Sequence, residues 1–129
     1  MFQSPFRERR VKKLAPLLAL LCIVLTALPV RAAEVEMLML EQPGCVWCAR
    51  FNKEIAPAWP NTDEGRRAPL RRIDITQPWP DDLKGIATER FTPTFVLVQN
   101  GKEIGRIRGY PGDQFFWYLA GELIGKLAQ

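Results

Sequence analysis

Glu41-Gln42-Pro43-Gly44-Cys45-Val46-Trp47-Cys48-Ala49-Arg50-Phe51 is the stretch on which the reading of this chain turns. Ahead of it, Glu34 to Glu41 (EVEMLMLE) starts with alternation and becomes apolar, the pattern of a strand entering a buried sheet. Gln42-Pro43-Gly44 breaks that strand. From Cys45 the spacing predicts a helix, with Trp47, Phe51 and Ile55 at i, i+4 and i+8 and the charges Arg50, Lys53 and Glu54 off that stripe. Pro57 and Pro60 bend or stop it. A Cys-x-x-Cys pair therefore opens a helix that directly follows a strand. A helix N-terminus presents unpaired N–H groups and a partial positive charge, which stabilise a thiolate on the first cysteine. Thiols so placed titrate at about 3.5–7.5 instead of about 8.5, which leaves a nucleophilic fraction at neutral pH. Two intervening residues put Cys48 one helical turn on, close enough for a disulfide with Cys45. Cys45 then attacks a substrate disulfide, and Cys48 resolves the mixed disulfide.

Composition narrows the alternatives. The 129 residues contain no histidine. That removes Ser-His and Cys-His nucleophile pairs, zinc sites needing imidazole, and haem attachment through Cys-x-x-Cys-His. Tetrahedral zinc needs four ligands, and the only other cysteine is Cys22, near the N-terminus. No cofactor and no metal are expected. The competing readings of the pair are an inert staple and a metal site shared between subunits. With 47% hydrophobic and 25% charged residues the chain is neither disordered nor fibrous, and its length is room for one domain.

The net charge of +4 is unevenly spread. The first 32 residues hold Arg7, Arg9, Arg10, Lys12, Lys13 and Arg31 against Glu8; the other 97 hold 12 basic and 13 acidic residues. No basic stripe remains to track phosphates, so a nucleic-acid partner is not expected. Arg7 to Lys13 reads instead as a basic n-region, followed by an uncharged run of 16 residues, Leu14 to Pro29. That run is shorter than the roughly 20 residues a spanning helix prefers. Val30-Arg31-Ala32 supplies a cleavage pattern. Residues 1–32 are expected to be a signal peptide and 33–129 the domain, the alternative being an uncleaved membrane anchor. Cys22 reads as a small hydrophobe of the discarded segment. Cys45 and Cys48 then face an exported, oxidising compartment, and their tiny loop calls for a chemical explanation more than a structural one.

Beyond the first helix, Asn61 to Arg67 reads as polar connection. Leu70 to Ile75 alternates as a half-buried strand, and a loop with Pro78-Trp79-Pro80 leads to a short helix from about Asp81. Thr94 to Gln99 (TFVLVQ) is the strongest strand. Asn100-Gly101 signals a type I′ hairpin turn, with Lys102 to Arg108 as the returning partner. Asp113 is expected to cap a final helix carrying Phe115, Phe116, Tyr118, Leu119 and Leu123. The order is β-α-β-α-β-β-α. It points to an α/β domain whose mixed sheet is flanked by helices on both faces, parallel early on and with one antiparallel edge.

With these elements in order, residues 34–127 resemble thioredoxin. Three landmarks carry the resemblance: Cys45-x-x-Cys48 after the first strand, Thr92-Pro93-Thr94 opening the strong strand, and Asn100-Gly101 followed by Gly109. The resemblance implies the thioredoxin-like fold, a cis peptide before Pro93 opposite the cysteines, and a substrate groove. In that groove the Thr92 backbone holds an extended peptide, Gly109 forms the floor, and Trp47 beside Cys48 is either an apolar lip or packed under a loop. Departures matter too. Cytosolic thioredoxins usually bury an Asp six residues before the first cysteine, where this chain has Met39. Glu41 is the candidate proton acceptor in its place, or else a solvated loop carboxylate. Val46-Trp47 puts no cation between the cysteines, which favours a more reducing couple than that of strong periplasmic oxidants.

Within the superfamily the chain most resembles the thioredoxins of bacterial sulfur-oxidation (Sox) systems. That implies a monomeric periplasmic reductase which keeps a sulfur-carrier protein's cysteine reduced and takes electrons from a membrane thiol transporter. Rival readings are a disulfide isomerase or oxidant and a cytochrome c maturation thioredoxin. A further alternative is a non-catalytic binding module with a structural disulfide. Phe115-Phe116-Trp117-Tyr118 is expected to pack with one ring exposed, Trp79 to anchor its loop, and Arg66-Arg67 and Arg71-Arg72 to be solvated.

Overall fold

The computed structural model describes residues 34–127; the expected signal peptide, 1–32, lies outside the described residues. Strand β1 (Val35–Glu41) has a neighbour on each side, in a four-stranded sheet of order β2-β1-β3-β4. β2 (Leu70–Asp74) runs parallel to it, with Met37 opposite Leu70 and Glu41 opposite Asp74. β3 (Thr94–Gln99) pairs antiparallel on the other side, with Met39 opposite Phe95, and β4 (Lys102–Arg108) pairs antiparallel with β3. The sheet therefore contains two antiparallel pairings, where sequence pattern pointed to one. A strand's hydrophobic period reports which faces are buried but not which way its neighbour runs. The β3–β4 turn is as expected, with Asn100 at φ 52° and Gly101 at φ 75°.

Because side chains alternate along a strand, each face of the sheet has its own core. Met37, Met39, Phe95 and Leu97 point to one side, where helices α1 (Val46–Glu54) and α3 (Asp113–Ile124) cover them with Phe51, Ile55, Phe116 and Ala120. Phe51, Phe95 and Phe116 meet with ring centroids 4.6–5.1 Å apart. Leu38, Leu40, Val96 and Val98 point to the other side. There the cover is a loop with one 3₁₀ turn (Asp81–Leu83), which supplies Leu83 and Ile86. The expectation of helices on both faces is corrected on this side. Trp79 does anchor that loop, its Nε1–H donating to the Leu83 carbonyl at 2.8 Å.

Local expectations are corrected in three further places. The segment 61–67 is more than connection: after a 3₁₀ turn (Trp59–Asn61), a short helix α2 (Asp63–Arg67) forms. Thr62 caps it, its Oγ1 accepting the Gly65 N–H at 3.0 Å. Asp113 is the first residue of α3 rather than its cap; Gly112 takes that position. The aromatic run exposes two rings, Phe115 and Tyr118, because successive helical residues step about 100° round the axis and only Phe116 faces the sheet squarely. The arginine pairs lie at the surface as expected, with Arg66, Arg67 and Arg72 exposed and Arg71 half-buried; Arg71 also bridges Glu36 and Asp82, and Arg72 reaches Glu41.

Candidate active site

The turn Gln42-Pro43-Gly44, with Gly44 at φ 78°, delivers Cys45 to the head of α1. Cys45 is the N-cap residue. Its Sγ accepts the Cys48 N–H at 3.1 Å, which is the place a capping oxygen usually takes. The pair is joined as a disulfide with Cα atoms 5.2 Å apart. Cys45 is half-buried and Cys48 is 4% exposed, packed in the core with Met39 and Phe51. The geometry thus leaves the first cysteine more accessible than the second. Unlike the expected stripe, the buried side of α1 is Cys48, Phe51 and Ile55, while Trp47 stands half-exposed beside the pair.

The Thr92–Pro93 peptide is cis. That bend is tied on both sides: the Gly109 N–H donates to the Pro93 carbonyl at 2.7 Å, and Thr94 Oγ1 donates to the Phe91 carbonyl at 2.7 Å. Gln42 Nε2 donates to Thr92 Oγ1 at 2.9 Å, joining the turn before Cys45 to the cis-proline loop across 50 residues of sequence. Trp47, Phe91, Thr92, Pro93 and Gly109 line one groove of about 250 Å³. The structure therefore brings together the four residues expected to hold substrate. Cys45, Cys48 and Glu41 line a neighbouring cleft of about 340 Å³, to which Gln42 also contributes.

Glu41 ends β1 and is ion-paired with Arg72 at 2.9 Å, so it is a strand-end carboxylate with a fixed partner. The same guanidinium donates to Asn52 Oδ1 at 2.8 Å and lies 3.5 Å from Met39 Sδ. Met39 itself is fully buried. On the groove side, the Arg50 guanidinium stands 5.7 Å from the Trp47 ring centroid and donates to Glu54 at 2.8 Å. The Tyr110 hydroxyl donates to the other Glu54 oxygen. Burial, then the bond to Glu54, raises the Tyr110 hydroxyl above its ordinary range, so it stays protonated; the bond from Arg50, then that from Tyr110, lowers Glu54. Sequence reading passed over Gln42, Phe91 and Tyr110. Their neighbours in the chain (the breaker Pro43-Gly44, Thr92-Pro93 and Gly109) were the available signal, since residues flanking a bend that shapes a site tend to line it.

A dithiol–disulfide pair at a helix head, in a cleft beside the cis-proline groove and joined to it by the Gln42–Thr92 bond, defines thiol–disulfide exchange as the chemistry. No family model and no curated protein matches the chain. Among solved structures, it is 50% identical to the periplasmic thioredoxin SoxS from Paracoccus pantotrophus in its reduced form. That match covers 72% of this chain and 98% of the other, with a TM-score of 0.69. Two more distant matches share the fold. One is thioredoxin-2 of the malaria parasite (17% identity, 71% and 85% covered, TM-score 0.53). The other is a thioredoxin of Malassezia sympodialis (19%, 70% and 77%, 0.51). The chain belongs to the thioredoxin family and is a thiol–disulfide oxidoreductase. The fold class and the resemblance read from Cys45-x-x-Cys48, Thr92-Pro93 and Gly109 hold.

Proposed function

We propose that this chain is an exported reductase that keeps a partner protein's cysteine reduced, in the setting of bacterial sulfur oxidation. The observation that carries the reading is the unequal exposure of the two cysteines at the head of α1: Cys45 is half-buried at the N-cap position and Cys48 is buried in the core. After reduction of the pair, the Cys45 thiolate attacks one sulfur of the partner's disulfide. That S–S bond breaks, the departing sulfur takes a proton, and a mixed disulfide joins the two proteins. Cys48 then gives up its proton to solvent in the cleft and attacks the Cys45 Sγ. The mixed disulfide breaks, the partner leaves as a dithiol, and Cys45–Cys48 is re-formed as the disulfide, two electrons poorer. Thr92 and the cis-Pro93 hold the extended partner segment, Gly109 gives it room, and Trp47 is the apolar lip.

Two observations support the reductive direction. Val46 and Trp47 supply no cation to the thiolate, and Arg50, two residues past Cys48, is engaged by Glu54. Export in the periplasmic sense is supported by the leader-like composition of 1–32 and by the periplasmic relative at 50% identity. The partner would then be a sulfur-carrier protein, the electron source a membrane dithiol transporter, and the working form a monomer. A Cys48→Ser variant of residues 33–129, incubated with a periplasmic extract, should accumulate a mixed disulfide that Cys45→Ser does not form. In redox buffers the pair should equilibrate near the thioredoxin value of about −270 mV; a value near about −120 mV would overturn the reductase direction.

A further inference from the structure

The residues from Ala87 to Pro93 form neither helix nor strand, yet they carry one wall of the groove. A segment without ladder bonds is placed by scattered contacts, and ahead of Thr92 one carboxylate gathers several of them. Glu89 Oε1 accepts the N–H groups of Arg90 at 3.0 Å and Phe91 at 3.2 Å, the two residues just before Thr92-Pro93. Its Oε2 meets Arg108 Nε at 2.9 Å and lies 3.8 Å from Arg106 on the same strand, β4. Arg106 in turn donates to the Ala87 carbonyl at 3.1 Å, and the Arg108 guanidinium stands 5.3 Å from the Phe91 ring centroid. The Glu89 side chain is 16% exposed, whereas Phe91, which it holds, is 52% exposed on the groove. The carboxylate therefore fastens the cis-proline loop to β4 from behind while the aromatic ring faces outward.

We propose that Glu89 is a positioning residue for the groove: it holds Phe91 and Thr92 in place for an incoming protein segment and takes no part in thiol chemistry. This rests on the reading of the groove as the partner-binding site. Its consequence is selective. A protein disulfide must lay its chain along the Phe91–Thr92 wall, so a loosened wall adds an ordering cost to binding. A small disulfide reaches Cys45 without the wall.

The test uses reduced wild type, Glu89→Ala, Glu89→Gln and Glu103→Gln, with insulin and bis(hydroxyethyl) disulfide as the two substrates. The hydrogen bonds described for Glu103 go to Arg106 and none to the 87–93 loop, so it controls for loss of a charge on β4. Glu89→Ala should raise KM for insulin about tenfold at unchanged kcat, from loss of two backbone hydrogen bonds and the Arg108 pairing. Glu89→Gln keeps an acceptor for the Phe91 N–H and should raise it about threefold, which keeps the test usable if the alanine variant folds poorly. Glu103→Gln should match wild type, as should every variant on the small disulfide. An insulin KM within about twofold of wild type in both Glu89 variants overturns the proposal, and so does an equal loss on both substrates. Wild type that reduces the small disulfide but not insulin overturns the groove reading beneath it instead.

Discussion

Gly109 follows β4 directly at φ 87°, and its amide is bonded to the Pro93 carbonyl. A Cβ built there would sit 3.3 Å from Phe91 Cε1, tighter than side chains normally pack. Gly109→Ala therefore has two separable costs. The backbone cost, an L-residue held in a left-handed conformation, is about 1–2 kcal/mol. The contact cost is displacement of the Phe91 ring, about 0.5–1 kcal/mol if the ring turns off its rotamer to make room. Gly101→Ala isolates the first: Gly101 has φ 75° and nothing within 4 Å of its built Cβ. Urea denaturation should show Gly101→Ala down by about 1–2 kcal/mol and Gly109→Ala down by a further 0.5–1 kcal/mol or so. In a Phe91→Ala background the excess should vanish, because the ring it pushes is gone. Only Gly109→Ala should also weaken turnover of a protein disulfide, through the displaced wall. Equal destabilisation by the two substitutions, or an excess that survives Phe91→Ala, would refute the assignment of the extra cost to Phe91.

Phe51→Ala removes a fully buried ring from the meeting point of Phe95 and Phe116. It should cost about 3–5 kcal/mol in urea unfolding, a large share of a small domain's stability; a loss below about 1 kcal/mol would contradict the packing. Acid should weaken the fold. Glu54 is lowered by Arg50, Asp74 by Thr76, Asp82 by Arg71, and Glu89 first by the Phe91 N–H, from ordinary values of 4.5 and 3.8. Each binds fewer protons folded than unfolded, so its contribution is present above the ordinary value and lost as pH falls through the lower folded one. Urea midpoints that stay flat from about pH 5 to about pH 2 would contradict those shifts.

What the chain disclosed in advance was local and strongly patterned. The β1–turn–α1 unit combined alternation, a Pro-Gly break and a cysteine at the helix head, and each pointed to the same boundary. Asn100-Gly101 was legible because few other residues accept positive φ. Helix α2 was not, since Asp63–Arg67 has no apolar stripe; it stands on Thr62's cap and on contact with the Trp59 turn. The direction of β3 against β1 depends on residues some 60 positions apart, and no window of sequence holds both. The site divided along the same line. Cys45, Cys48, Pro93 and Gly109 announced themselves by motif, whereas Gln42 and Glu89 act through contacts made only once the loops have met.

Among the described residues the sheet order places β2 and β4 at the edges, and an edge strand presents backbone groups that a foreign strand can pair with. β2 carries Arg71, Arg72 and Asp74 among five residues, and β4 carries Lys102, Glu103, Arg106 and Arg108 among seven. Charge at an edge penalises strand addition, because stacking a copy alongside brings like charges together and strips their water. The molecule can then leave Trp47 and Phe91 uncovered for a partner's cysteine while both margins of its sheet discourage growth into fibrils.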